Sequence, residues 1–324
     1  MNKSILARMG LMMSALCVCV TQAAAAETYP ARPLRLVVPT GAGGFTDVLS
    51  RVVAQHLGES LGQRVVVDNR PGAGSIVGSE IVAKSPPDGY TMMMAFTPHS
   101  INSSLYPKLP YDALKDFSPV TMVAAVTLVL TAHPSLPTKN IRELIALAKQ
   151  RPGQINYGSV GSGSLGHLGA ELFKSLGRVS ITHVPYKGAP QANSALLSGE
   201  VSMFFDTPPS SLPLIKAGRV RALGVSTRKR LALLPDVPAI AEVVPGYEVI
   251  GWNGIVVPAG TPQSIIDRLH TEIAKVLRTP SVSTQLTSQG IDPVGDSPAQ
   301  FSAFIKSDTE KWARVIREAG IKPD

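Results

Sequence analysis

Cysteine is nearly missing from this 324-residue chain, which has two, Cys17 and Cys19. Both fall within the first 26 residues, and that stretch reads as an export signal. Lys3 and Arg8 give it a positive start, residues 9–20 form an uncharged apolar run, and Ala24-Ala25-Ala26 supplies small residues for cleavage. Once the signal is removed no thiol remains, which excludes disulfides, thiol catalysis and cysteine metal sites together. A lipid anchor is disfavoured too, because Leu16 and Val18 precede the cysteines where lipoprotein processing prefers a small side chain. The expected product is soluble, exported and periplasmic, and it is held together by its core alone.

Other absences narrow the function. No later segment reaches the ~18 uncharged apolar residues of a membrane span. The six histidines are scattered with no H-x-x-x-H pair, so neither a metal nor a cofactor is expected. Aromatic residues make up 5%, and the longest basic cluster, Arg228-Lys229-Arg230, has no aromatic stripe beside it. Nucleic-acid binding is therefore poorly supported. The formal charge of +8 falls to +6 once Lys3 and Arg8 are lost with the signal. An excess of that size either solvates the surface or helps attract an acidic solute.

What the chain does have is an alternation of strand-like and helical patterns, which predicts an α/β fold with largely parallel sheets. Its length suits two lobes. Two long strand-like runs, 120–132 and 247–257, suggest a chain that crosses twice between them. Residues 27–124 with 250–324 would form one lobe and 125–249 the other. Between the strand at 90–95 and Phe117, the Asn-, Ser- and Pro-rich segment reads as a loop.

Each half carries a glycine-rich turn between a strand and a helix. The first, Gly41-Ala42-Gly43-Gly44, follows Leu34–Pro39; the second, residues 158–164 (GSVGSGS), follows Ile155-Asn156-Tyr157. A helix N-terminus presents unpaired N–H groups and the positive end of the helix dipole, and glycine lets an anion come close. Facing each other across a cleft, two such turns would clamp a small acidic molecule. The second turn matches G-x-G-x-x-G, but the next strand ends His183-Val184-Pro185-Tyr186-Lys187 with no ribose-binding carboxylate, so an anion cradle is preferred to a dinucleotide site. No G-x-S-x-G elbow exists, although Ser164 and His167 lie one helical turn apart and leave an exported hydrolase as an alternative. Asp47 is read as structural, since a bare carboxylate there would repel an acidic guest unless it bound the loop backbone. Asp206, after an apolar strand, and Thr97 are open between lining a pocket and capping a turn. Trp252 is read as core or hinge packing.

At this point the chain resembles the Bug-type periplasmic solute-binding proteins of tripartite tricarboxylate transporters. The segments that carry the likeness are LRLVVPTGAGGFTD (34–47), NRPGAG (69–74), PDGYT (87–91), YGSVGSGSLGHLGAELF (157–173), HVPYKG (183–188) and LPDVPAIAE (234–242). They span nearly all of the chain beyond the signal. The resemblance implies a two-lobed Venus-flytrap α/β fold that closes on a carboxylated solute and hands it to a membrane permease. It implies no enzymatic activity, and a monomer is the default expectation. It points to Gly43, Gly44 and Phe45 in the first turn and to Ser159, Ser162, Gly163 and Ser164 in the second, with Thr97 and Asp206 as further pocket candidates. Phe45 and the 97–104 segment are expected to shape selectivity. Thr40 departs from many relatives, which have an aromatic or another residue followed by proline. Helix ends alone supply at most ~2 kcal/mol each, against ~8 for micromolar binding. Lobe closure, excluded water and further hydrogen bonds must supply the rest. A sensor subunit for a signalling receptor is the other alternative.

Overall fold

Two β-sheets divide the strands, and the chain passes between them twice. The computed structural model describes residues 29–322, so the expected export segment lies outside the described residues. Tyr29–Ala31 belong to a short leading unit; everything discussed below lies in the unit that begins at Arg32. The first sheet contains β1 (Leu34–Val38), β2 (Val65–Asn69), β3 (Thr91–Phe96), β4 (Phe117–Thr127), β10 (Ile250–Pro258) and β11 (Ile291–Pro293), in the order β11-β4-β10-β3-β1-β2. The second contains β5 (Val129–Ala132), β6 (Asn156–Ser159), β7 (Thr182–Pro185), β8 (Met203–Asp206) and β9 (Arg221–Val225), in the order β7-β6-β8-β5-β9. Both sheets are mixed. β1 is parallel to β2 and β3, and β6 to β7 and β8, while β10 and β5 run antiparallel to their neighbours. This is the expected two-lobed α/β architecture, with parallel pairing confined to one side of each sheet.

The parallel pairs follow from the crossover helices. β1 is almost wholly apolar because both its faces are covered. Helix α1 (Phe45–Leu61) then buries Leu49, Val53, Leu57 and Leu61 and stops at Gly62, whose φ of 68° is the left-handed C-terminal turn. α2 (Ile76–Ala83) returns the chain to β3.

The segment after β3 corrects the sequence reading. Pro98–Leu105 is a helix, α3, not a loop. Proline at its start has no N–H to lose there, and Ile101 and Leu105 bury themselves. A polar composition concealed a helix whose stability comes from packing on two apolar side chains.

The apolar run 120–132 is likewise two strands, broken at Leu128 where the chain changes sheets. The return passage precedes Ile250, which pairs with Thr127. Ser226, fully buried, fastens the two passages together. Its backbone N–H donates to Leu128 O at 2.8 Å, and its carbonyl accepts from Val249 N at 2.9 Å. Its hydroxyl accepts from Leu128 N (2.8 Å) and donates to Val249 O (2.6 Å).

The remaining helices are α4 (Ile141–Gln150), α5 (Leu165–Gly177), α6 (Ala189–Ser198), α7 (Pro208–Lys216), α8 (Gln263–Arg278), α9 (Pro280–Thr287) and α10 (Pro298–Ala319). α10 opens with a capping box between Ser297 and Gln300. Its first half sends Phe301 and Ile305 into the core of the first sheet with Val37, Met93 and Trp252. Its second half sends Trp312, Val315 and Ile316 into the core of the second, with Leu130, Tyr157 and Phe173. Trp252 is a core residue, 1% exposed, with its indole N–H donating to the buried Asp308 at 3.0 Å. Among the described residues no helix is long and apolar enough to cross a membrane.

Candidate functional site

Both glycine turns lie at the carboxyl ends of parallel strands, which is where open α/β sheets bind ligands. The first follows β1 and ends at Gly44, the N-cap of α1, which no side chain among the described residues caps. The four leading N–H groups of a helix have no partner within it, so the mouth of α1 is open to an acceptor. Phe45 stands at this rim, 39% exposed. Behind the turn, buried Asp47 Oδ2 accepts from Gly43 N at 2.8 Å, and Oδ1 accepts from Asn69 Nδ2 at 2.9 Å. Arg51 reaches the same carboxylate at 3.1 Å, and this bond, with those from Gly43 and Asn69, holds the Asp47 pKa down to about 2. Asp47 thus supports the loop, as its sequence context suggested.

The second turn follows β6. Ser164 is the N-cap of α5, its hydroxyl accepting from His167 N at 3.4 Å. Gly161 and Gly163 are left-handed, with φ of 121° and 73°. Gly163 N donates to His167 Nδ1 at 3.0 Å. Ser159 is fully buried beneath the turn. Its hydroxyl donates to Gly161 O at 3.0 Å and accepts from Gly161 N at 3.1 Å. It also meets His183 Nε2 at 2.6 Å. Ser159 is therefore a prop under the turn. Ser162 and Ser164 are half-buried on the turn itself.

One strand brings these elements together. Three consecutive residues of β10 each meet a different one. A Cβ placed on Gly251 would come within 2.9 Å of Leu165 Cδ2, at the start of α5. Trp252 N donates to Thr97 Oγ1 at 3.3 Å, at the start of α3. Asn253 Nδ2 donates to Thr46 Oγ1 at 3.1 Å, in the first turn of α1. Residues 251 and 253 of a strand lie only ~7 Å apart, so the starts of α1, α3 and α5 converge on a dipeptide's length of backbone. Gly163 adds a second link, since a Cβ there would come within 2.7 Å of Leu105 Cδ1 on α3.

Asp206 ends β8 beside this cluster, and a Cβ on Gly166 of α5 would lie 2.9 Å from the carbonyl of Phe205, the residue before it. Its carboxylate accepts from Asn193 Nδ2 (3.0 Å) and Thr207 N (2.8 Å), and burial raises its pKa. These bonds tie the end of β8 to α6 and to the residue that precedes α7. The hydrolase alternative finds no support at Ser164, whose hydroxyl faces the His167 backbone while the ring nitrogen Nδ1 holds Gly163.

His183, Asn253 and Ser226 are the residues that sequence reasoning passed over. His183 was visible only inside HVPYKG, and its pairing with Tyr157 across parallel strands is what places its ring under the turn. Asn253 lies in an otherwise apolar buried strand, and such an isolated polar residue is a signal that could have been used.

Comparisons with known proteins give the family. The family model described as tripartite tricarboxylate transporter family receptor matches residues 49–321. The chain belongs to this receptor family. It is 40% identical over 300 residues to protein BugT of Bordetella pertussis, covering 92% of each chain. Among solved structures it is similar to Rpa4515 of R. palustris, determined with adipate, at 40% identity and a TM-score of 0.78 over 91% of this chain and all of the other. It is also similar to MatC of Rhodopseudomonas palustris with bound malate, at 29% identity and a TM-score of 0.74 over 89% of this chain and all of the other.

Proposed function

We propose that this receptor captures a small carboxylate, of the dicarboxylate class that adipate and malate exemplify, in the periplasm. It then presents its closed form to the membrane permease of a tripartite transporter. It works as a monomer, without catalysis or cofactor. The reading takes residues 27–124 with 250–324 as one lobe and 125–249 as the other. The observation that carries it is the convergence of the α1, α3 and α5 starts on Gly251–Asn253. On this reading the main-chain donors left open at these helix starts share one guest, an anion held by several weak terms together. Gly44, Phe45, Ser162, Ser164 and the amides beside them form its rim, with Gly43, Ser159, Gly163, Thr97 and Asp206 fixing the turns behind it. Closure follows from population shift, because only the closed form lets both turns reach one guest.

The Ser159–His183 contact does not revive a hydrolase, because the serine lies beneath the turn and is fully buried. Thermal unfolding against a panel of mono-, di- and tricarboxylates tests the proposal. A cognate acid at a hundredfold excess over its Kd should stabilise the protein by about 2.7 kcal/mol, a rise of roughly 5–10 °C. Gly44→Val should remove that rise without lowering the ligand-free Tm. The φ of Gly44 is −78°, and the nearest atom to an added Cβ is Gly41 O at 3.9 Å, so valine fits the fold yet blocks the helix mouth. A folded, ligand-free protein that no acid stabilises would contradict this function.

A further inference from the structure

The two glycine turns carry the same internal fastening. In each, the amide just before the helix cap is taken by a side chain four residues on: Gly43 by Asp47 at 2.8 Å, and Gly163 by His167 at 3.0 Å. Both acceptors occupy the third position of their helix, and both glycines are left-handed, at φ 85° and 73°. The chemistry of the two fasteners differs. A carboxylate accepts across the whole neutral and mildly acidic range. An imidazole nitrogen accepts only while it carries no proton.

The surroundings fix how His167 is used. Its ring lies flat on that of His183, with centroids 3.9 Å apart and planes 9° from parallel. Tyr157 of β6 stacks on His183 from 5.1 Å. On α5 itself, Glu171 Oε1 lies 3.9 Å from His167 Nε2. The same oxygen accepts from the Tyr157 hydroxyl (2.7 Å) and from Lys174 (2.8 Å). From β8, Asp206 has its carboxylate occupied by Asn193 and Thr207. The imidazole pair thus holds both left-handed glycines of the turn, Gly163 directly and Gly161 through Ser159. His167 Nδ1, with its lone pair committed to the Gly163 N–H, has no room for a proton, and its hydrogen belongs on the Nε2 side that faces Glu171. A second proton must displace the Gly163 amide and release the turn at its left-handed residue.

We propose that His167 is a positioning residue for solute binding, holding the second turn in its binding shape only while Nδ1 is unprotonated, so that affinity falls as the ring gains a proton. The proposal rests on the carboxylate reading above. The informative variant is His167→Asn, whose amide oxygen replaces Nδ1 at the same number of bonds from the backbone and does not titrate. His167→Leu keeps bulk and removes the acceptor. The experiment is calorimetric titration of the mature protein with adipate and with malate from pH 8 to 5.5, on the wild type and both variants. His167→Leu should bind at least about tenfold more weakly at pH 8, the loss of one buried acceptor. The wild type should weaken towards pH 5.5 more steeply than His167→Asn, and comparing the two with the same acid cancels the titration of the acid. Glycine-selective ¹⁵N spectra of the ligand-free protein supply an independent readout. The Gly163 amide should follow pH in the wild type and stay fixed in His167→Asn. Equal pH profiles for these two proteins, or undiminished binding by His167→Leu, would overturn the proposal. A wild type that binds neither acid at any pH, while the Gly163 amide still titrates, would mark the failure of the carboxylate reading and take this proposal with it.

Discussion

Asp47 shows how a single side chain decides the shape of a glycine turn. Buried, it joins Gly43, Asn69 and Arg51, so Asp47→Ala leaves the Gly43 amide and one N–H of Asn69 without their acceptor and should lower stability by about 1–3 kcal/mol. Chemical unfolding of the variant checks this. Because the folded carboxyl sits near 2 rather than 3.8, its contribution is present above pH 4 and is lost as pH falls from about 4 towards 2. His99 acts in a different window. Burial lowers its pKa to about 4, and its Nε2–H donates to Ala113 O at 3.0 Å. An unfolded chain takes up that proton near 6.5, so folding weakens as pH falls from about 6.5 to 4, by on the order of 3 kcal/mol. Urea titrations across that range should show a slope that His99→Gln largely removes.

At the level of elements, what was legible followed from periodicity and punctuation. The α1 helix was readable from its apolar spacing and from Gly62, and α10 from a long stripe behind a proline start. The α3 helix was not, because eight mostly polar residues carry little apolar pattern and are stabilised by partners distant in sequence. The break at Leu128 was hidden for a related reason, since β4 and β5 are both buried and read as one apolar run. The candidate site was legible as two turns and their strands. How those turns are fastened was not, because pairing Ser159 with His183 or Asn253 with Thr46 requires knowing which strands are neighbours. Ser226 belongs to the same category, an unremarkable serine in sequence that ties both interlobe passages. Ser226→Ala should lower stability by about 1–3 kcal/mol and accelerate hydrogen exchange at the Leu128 amide, which loses its acceptor, ahead of the rest of the molecule.

For the whole molecule, membership of the receptor family and the two-sheet architecture agree with what the sequence segments implied. The arrangement of α10 was not foreseeable from its own sequence. Its 22 residues span about 33 Å, enough to seat Phe301 in one core and Trp312 in the other. Wild-type protein should therefore melt in one calorimetric transition, and Trp312→Ala, losing about 3–5 kcal/mol, should split or broaden it. A single rigid rod anchored at both ends also restricts the flytrap geometrically. α10 lies beside the returning strand β10, where the Phe301 ring meets that of Trp252 at 5.5 Å and would touch any side chain placed on Gly254. In the closure proposed above this rod moves with both lobes, and the opening angle is metered by how far one indole can slide in its socket.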